Sequence, residues 1–266
     1  MTPVVVARGT GPVVLGIPHA GTHVPDEIKA RLNERGRALA DTDWHVDRLY
    51  AGLLPDATAV RATFHRYVID ANRDPSGASL YPGQNTTALV PLTDFEGRGI
   101  WEAPPTAADV ETRRTSFHAL YHEALQAELE RVRKLHGVAI LYDCHSIRSR
   151  IPYLFDGGLP DFNLGTNLGA TCAPMLQDAA LRICDDAPGY STTLNGRFKG
   201  GWTTRHYGRP DAGCHAIQME LAQSTYLTDE APPWTYDTEK AGRLRSHLKS
   251  ILRTLADMAS SLGNDQ

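Results

Sequence analysis

"VAILYDCHSIRS" (residues 138–149) joins an apolar β run to a polar end that carries Asp143 and His145. The elements around it decide the fold. Immediately upstream, residues 107–135 place Phe117, Leu120, Tyr121, Ala124, Leu125, Leu129, Val132 and Leu135 along one stripe of a helix, and Gly137 stands where a left-handed glycine closes one. A second β-branched run, "VVLGI" (13–17), stops at Pro18, and a third apolar run, "HAIQMEL" (215–221), lies far downstream. "DTDWHVDRLYAGLL" (41–54) reads as a helix capped at Asp41 or Thr42 and stopped by Pro55, with Asp43, His45 and Asp47 on its first turns. "TAVRATF" and "RYVID", within 58–70, read as strand, corner, strand, and 237–260 as a closing amphipathic helix. Apolar strands alternating with helices predict an α/β fold, with a mixed, largely parallel central sheet and helices on both faces, in one domain spanning residues 1–266.

With 266 residues, 41% of them hydrophobic, the chain can bury a sizeable core. The net charge of −4 argues against sequence-independent nucleic-acid binding, which draws on a basic surface. No apolar stretch approaches the roughly 18–20 residues of a membrane helix, and "MTPVVVARGTGP" lacks the basic and apolar regions of a secretion signal. Cys144, Cys172, Cys184 and Cys214 form no C-x-x-C pair, which fits a reducing compartment better than a disulfide framework or a zinc ribbon. The expectation is a cytoplasmic protein without nucleic-acid or membrane partners, its oligomeric state open. The polar "SSLGNDQ" reads as a frayed end, and residues 83–105, rich in Gly, Pro and Thr, as a long ordered excursion of the kind that forms lids.

Ligands of open α/β sheets collect beyond the carboxyl ends of the strands. Three apolar runs here end in groups able to bind metal or move protons: "PHAGTH" brings His19 and His23, "DCHS" brings Asp143 and His145, and "QMELAQS" brings Glu220. A catalytic zinc site needs three N/O ligands and an open position, with a carboxylate nearby to take a proton from water. Two histidines and a carboxylate from separate elements, plus a further glutamate, meet that need. "HAGTH" sits among Gly21, Pro18 and Pro25 and so is a loop, not a helical H-E-x-x-H motif. Cys144, between Asp143 and His145, should face the core. Ser146 beside His145 cannot be its nucleophile partner, since adjacent strand residues face opposite ways, and no G-x-S-x-G elbow is present. Arg73, directly after "RYVID", is a candidate anion contact. "LNGRFKGGWTTRHYGRP" (194–210) adds further arginines among glycines without the spacing of a P-loop, and within it Lys199 and Arg209 read as solvated.

Taken in order, "IPHAGTHVP", "DTDWHVDRLY", "IDANRD", "DCHSIRS", "LPDFNLGT", "LNGRFKGGWTTRHYG" and "QMELAQSTY" resemble the N-formylglutamate amidohydrolase (N-formylglutamate deformylase) family over about residues 12–230. The resemblance implies a zinc-carboxypeptidase/phosphorylase-hydrolase-like fold. It also implies hydrolysis of N-formyl-L-glutamate to formate and L-glutamate in bacterial histidine degradation. It makes His19 and His145 ligands of one divalent metal ion, zinc, and Glu220 the base that activates water. Zinc carboxypeptidases place their acidic ligand three residues after the first histidine, where this chain has Thr22; the acid is therefore assigned to Asp43, with Asp47 as the alternative. "NRD" matches the Asn–Arg pair that holds a substrate carboxylate, implicating Asn72 and Arg73.

A small anionic N-acyl amino acid with two carboxylates needs a second cation, Arg197 or Arg205. Arg148, three residues past His145, is a further candidate, and Asp143 can orient a histidine ligand from behind. The alternatives are a related metal-dependent amidohydrolase or carboxypeptidase acting on another N-acyl amino acid, and a non-catalytic small-anion-binding protein.

Overall fold

The run beginning at Val138 becomes the central strand of a seven-stranded sheet in the computed structural model, which describes residues 2–79, 83 and 85–262. The strands are β1 (Val4–Ala7), β2 (Val13–Ile17), β3 (Thr58–Ala62), β4 (Ala139–Ile147), β5 (Phe162–Gly165), β6 (Thr192–Leu194) and β7 (Cys214–Ala222). Their order is β1-β3-β2-β4-β7-β5-β6. Strands β3, β2, β4 and β7 run parallel, β1 is antiparallel to β3 at one edge, and the parallel β5–β6 pair is antiparallel to β7 at the other. The sheet is thus mixed with a parallel centre, as expected.

The helices are α1 (Asp26–Lys29), α2 (Glu34–Arg37), α3 (Val46–Tyr50), α4 (Ala107–Arg113), α5 (Ala119–His136), α6 (Pro174–Asp185), α7 (Trp202–Tyr207) and α8 (Thr238–Leu262). A π turn over Arg114–His118 joins α4 to α5, and Gly137 ends α5 in the left-handed region at φ 76°, its N–H donating to the Arg133 carbonyl. Strand alternation divides the core between two faces. Leu15, Ile17, Ile140, Tyr142, Cys144, Ile217 and Met219 pack with α3, α6 and α8, whereas Val14, Ala139, Leu141 and Ala216 pack with Tyr121, Leu125, Leu129 and Val132 of α5.

On the α5 face the character changes abruptly along β4 and β7. Leu141 lies opposite Ala216, then Asp143 opposite Gln218, then His145 opposite Glu220. The apolar layer therefore stops at the Leu141–Ala216 pair, and two polar pairs follow it toward the carboxyl ends of the strands. The chain leaves β2 toward β3 on one side, while β4 lies on the other. That reversal opens a crevice between the ends of β2 and β4.

Two sequence expectations are corrected. The helix expected over 41–54 is confined to α3, because His45 sits in the left-handed region at φ 60° and the preceding residues form turns; Asp43 therefore lies in a loop before the helix. "RYVID" is not a strand: β3 ends at Ala62, and residues 65–70 turn inward, carrying the buried side chains of His65, Arg66 and Asp70. Residues 83–105 carry no helix or strand, only isolated bridges Leu32 to Trp101 and Thr93 to Gly99; position 84 lies outside the described residues. The last four positions of the expected frayed tail, 263–266, also lie outside them.

Leu248 on α8 is fully buried on the face away from the crevice. Leu248→Ala is expected to cost about 2–5 kcal/mol, read as a lower denaturation midpoint, while metal content and turnover of the folded fraction stay unchanged.

Candidate metal centre and substrate pocket

His19 follows β2 by two residues, Asp43 occupies the loop before α3, and His145 lies near the end of β4. One donor atom from each falls within 4.8 Å of the others. The Asp43 Oδ2 oxygen lies 3.2 Å from His145 Nδ1 and 3.8 Å from His19 Nδ1. All three side chains are buried. The loops are tied together directly: the Asp43 N–H donates to the His19 carbonyl at 3.1 Å, and the Ser146 N–H donates to Asp43 Oδ2 at 3.1 Å.

The opposite nitrogen of each imidazole meets a carboxylate. His19 Nε2 is 2.8 Å from Asp70 Oδ1, and His145 Nε2 is 3.1 Å from Asp143 Oδ1. With the His19 Nε2–H donating to Asp70, His19 Nδ1 is left as a lone-pair donor facing Asp43, whereas His145 sets its Nδ1 against Asp43 Oδ2 at 3.2 Å and its Nε2 between Asp143 Oδ1 and Asn72 Nδ2, each 3.1 Å away. His19 Nδ1 is buried with no protein hydrogen-bond partner. Arg66, buried beneath the cluster, pairs with the Asp43 Oδ1 oxygen and lies 3.8 Å from Asp70. Asp143 accepts a hydrogen bond from the Thr204 hydroxyl at 2.9 Å.

The charge balance is uneven. Asp43, Asp70, Asp143 and Glu220 are all buried, and among the described residues packed with them only Arg66 is a fully buried permanent cation. A buried carboxylate without a counter-charge is strongly unfavourable, so protons are drawn in. Burial, reinforced by Asp43 and Asp143, pushes the Glu220 carboxyl up to about 8. Burial opposes charge on His145, but Asp143, Asp43 and Glu220 overrule it and hold the imidazole well above its usual value. Burial and Arg66 lower His19. Burial would raise Asp70, yet Arg73, His19 and Arg66 keep it well below the usual carboxylate range. A divalent cation among the three donors would supply compensating positive charge, and the donor set of two imidazoles and one carboxylate suits such an ion.

Glu220 projects beside His145 into a pocket also lined by Asn72, Arg73, Asn85, Thr87, Phe95, Leu154, Arg197, Phe198 and Gln218. The Gly201 N–H donates to Gln218 Oε1 at 2.7 Å, which turns the Gln218 amide nitrogen toward Glu220 Oε2 at 3.1 Å. Asn72 approaches His145 Nε2 at 3.1 Å and accepts from the Thr203 N–H at 2.9 Å. Arg73 reaches Thr87 through Nε and Nη2, and Arg197 donates to the Leu154 and Asn85 carbonyls. Residues of the 83–105 excursion thus form one wall of the pocket.

His19, Asp43, Asn72, Arg73, His145, Arg197 and Glu220 come together here, with Asp143 directly behind His145. Three other candidates do not. Asp47 lies on the first turn of α3 and faces Arg61 of β3 at 3.5 Å. Arg148 lies beyond the end of β4 and is held outside the pocket by Glu96 at 2.7 Å and Asp41 at 3.5 Å. Arg205, half-buried on α7, donates through Nε to the Gly200 carbonyl, while the buried Thr203 and Thr204 meet Asn72 and Asp143. His45 bonds the Trp234 carbonyl and His23 joins the β-bridge to Phe64, so neither enters the cluster. Sequence reasoning missed Asp70, Arg66 and Gln218.

A model of the N-formylglutamate amidohydrolase family matches residues 11–227. The chain belongs to this family. It is 45% identical over 251 residues to an N-formylglutamate deformylase of Pseudomonas putida, covering 93% of both chains. An N-formylglutamate deformylase of Pseudomonas aeruginosa is 44% identical over 252 residues, with 93% of this chain and 94% of that one covered. Among solved structures, an N-formylglutamate amidohydrolase from Ralstonia eutropha superposes with a TM-score of 0.80 at 27% identity, over 96% of this chain and 97% of the other. A gene product of Agrobacterium tumefaciens shares the fold, with a TM-score of 0.71 at 17% identity over 97% and 96% of the two chains.

Two variants test the centre independently of catalysis. His145→Ala is expected to lose stoichiometric divalent metal, measured by elemental analysis, with its circular dichroism unchanged. Asp70→Asn, which keeps its shape but weakens the hold on His19, is expected to lower metal affinity about 10–100-fold. Full metal retention in His145→Ala would remove the cluster as the metal site.

Proposed function

We propose that the chain, acting as one catalytic domain in the cytoplasm, hydrolyses N-formyl-L-glutamate to formate and L-glutamate. One divalent ion, zinc, is held by His19 Nδ1, Asp43 Oδ2 and His145 Nδ1. The observation that carries this reading is the convergence of those three donors within 4.8 Å, beside Glu220 and an arginine-bearing pocket. The 45% identity to the Pseudomonas putida N-formylglutamate deformylase supports the substrate.

When bound, such an ion supplies polarisation of the formyl carbonyl and acidifies water. The protein's own groups do the rest. Arg73 and Arg197 hold the two substrate carboxylates, and Asn72 adds a hydrogen bond beside them; two fixed guanidinium forks suit a rigidly placed dianion. Glu220, oriented by Gln218 through Oε2, takes a proton from the attacking water as its oxygen adds to the formyl carbon. It then passes that proton to the amide nitrogen as the C–N bond breaks, so formate and the free amine leave together. A raised carboxyl pKa suits this shuttle, because the group must both accept and release a proton near neutral pH.

Glu220→Gln is expected to retain metal and to lower kcat by about 10²–10⁴-fold, measured as formate release. Substantial activity in that variant would remove Glu220 as the base. Wild-type protein should prefer N-formyl-L-glutamate over its N-acetyl and N-formimino analogues, whereas preference for an analogue would favour another N-acyl amino acid as substrate.

A further inference from the structure

The segment that carries Asp70, Asn72 and Arg73 has no place in the sheet, yet its backbone is gripped at three carbonyls by side chains of one helix. Arg113 Nη1 donates to the Val68 carbonyl at 3.2 Å, His122 Nε2 lies 2.7 Å from the Ala71 carbonyl, and His118 Nε2 lies 3.0 Å from the Arg73 carbonyl. Facing a carbonyl, each histidine Nε2 must carry the proton and donate. The two histidine contacts bracket Asn72.

The helix reaches all three carbonyls because of its π turn. In a continuous α-helix, five residues advance roughly 140° past a full turn, so Arg113 and His118 would point in different directions. The π turn over Arg114–His118 closes an i to i+5 hydrogen bond and returns His118 to the side of Arg113, with His122 following on the same stripe. Trp202 of α7 packs behind both imidazoles, at ring-centroid distances of 5.8 Å and 4.7 Å. The preceding Gly201 has no Cβ, which would stand 2.3 Å from Asn72 Nδ2, so α7 can close on Asn72 from the other side. Burial lowers both histidines, His122 to about 3, so each donates as a neutral imidazole across the neutral pH range.

We propose that His118 and His122 are positioning residues for substrate binding, fixing the carbonyls on either side of Asn72 and so aiming the Asn72 amide and the Arg73 guanidinium at a substrate carboxylate. This rests on the assignment of Arg73 to substrate binding made above. Neither histidine touches the reacting atoms, so their removal should appear in KM rather than in metal content or kcat.

The test compares His118→Phe, which keeps a ring against Trp202 without the donor, and His118→Gln, which can still donate to the Arg73 carbonyl, in wild-type and Arg73→Ala backgrounds. Thermal unfolding is followed for each; should the Phe variant not fold, His118→Leu takes its place. His118→Phe is expected to raise KM for N-formyl-L-glutamate about 3- to 10-fold with kcat and metal content retained, and His118→Gln to restore KM. Added to Arg73→Ala, His118→Phe should raise KM by less than it does in the wild-type background, since only the Asn72 contact is left to lose. An unchanged KM in His118→Phe, equal losses in the Phe and Gln variants, or losses that multiply with Arg73→Ala would overturn the inference. An unchanged KM in Arg73→Ala itself would overturn the substrate-binding assignment and the inference with it.

Discussion

Four buried carboxylates set against one buried arginine are the constraint on which the rest of the site depends. Asp43, Asp70, Asp143 and Glu220 lie where two parallel strands and two loops meet, largely shielded from solvent, with Glu220 alone of the four lining the pocket. Folding such a group requires compensation, and the structure supplies it in layers. Arg66 is placed beneath Asp43 and Asp70, and Arg73 sits at the pocket margin 3.9 Å from Asp70. Two imidazoles are inserted between carboxylates, with His19 between Asp70 and Asp43 and His145 between Asp143 and Asp43. Burial, with Asp43 and Asp143 beside it, raises Glu220 to about 8. A cation held among His19, Asp43 and His145 would offset that concentration of negative charge.

The fold explains why these groups can be assembled so deeply. Parallel strands end on the same side of a sheet, and the reversal of chain direction between β2 and β4 leaves that end uncovered. Strand alternation then puts Asp143 and His145 on one face and Cys144 on the other, so β4 serves the apolar core and the polar crevice at once. Segments without regular structure complete the enclosure. The loop before α3 contributes Asp43, the turn after β3 contributes Arg66 and Asp70, and the 83–105 excursion contributes Thr87 and Phe95. Such segments hold their shape here because their polar groups bond to buried partners, as when Asp41 accepts from the Phe95 N–H at 2.9 Å and from the Tyr67 hydroxyl at 2.7 Å.

The sheet centre was legible because β2, β4 and β7 are apolar runs with polar ends, and α5 and α8 carry clear helical stripes. The edges were not: β1 and β6 are too short for periodicity to register, and β5 borrows its ladder from a strand nearly 60 residues away (Asn163 opposite Glu220). His19, His145 and Glu220 were visible as strand-end residues. Asp70 and Arg66 were hidden by "RYVID", whose β-branched composition reads as a strand although tertiary contacts override it. A charged residue on each side of a fully buried Tyr-Val-Ile run was the available signal, since neither could lie in a core without a partner. Arg148 misled because proximity in sequence says nothing about direction once a strand has ended, and Glu96 claims it from another segment. The π turn had no signature in the helical stripe, yet it decides which carbonyls His118 and His122 can reach.

The most direct measurement is formate release from N-formyl-L-glutamate by protein stripped with a chelator and then titrated with zinc, with bound metal counted in parallel. The account predicts that stripped protein is inactive and that activity returns linearly, saturating at one ion per chain. Full turnover by metal-free protein would contradict it.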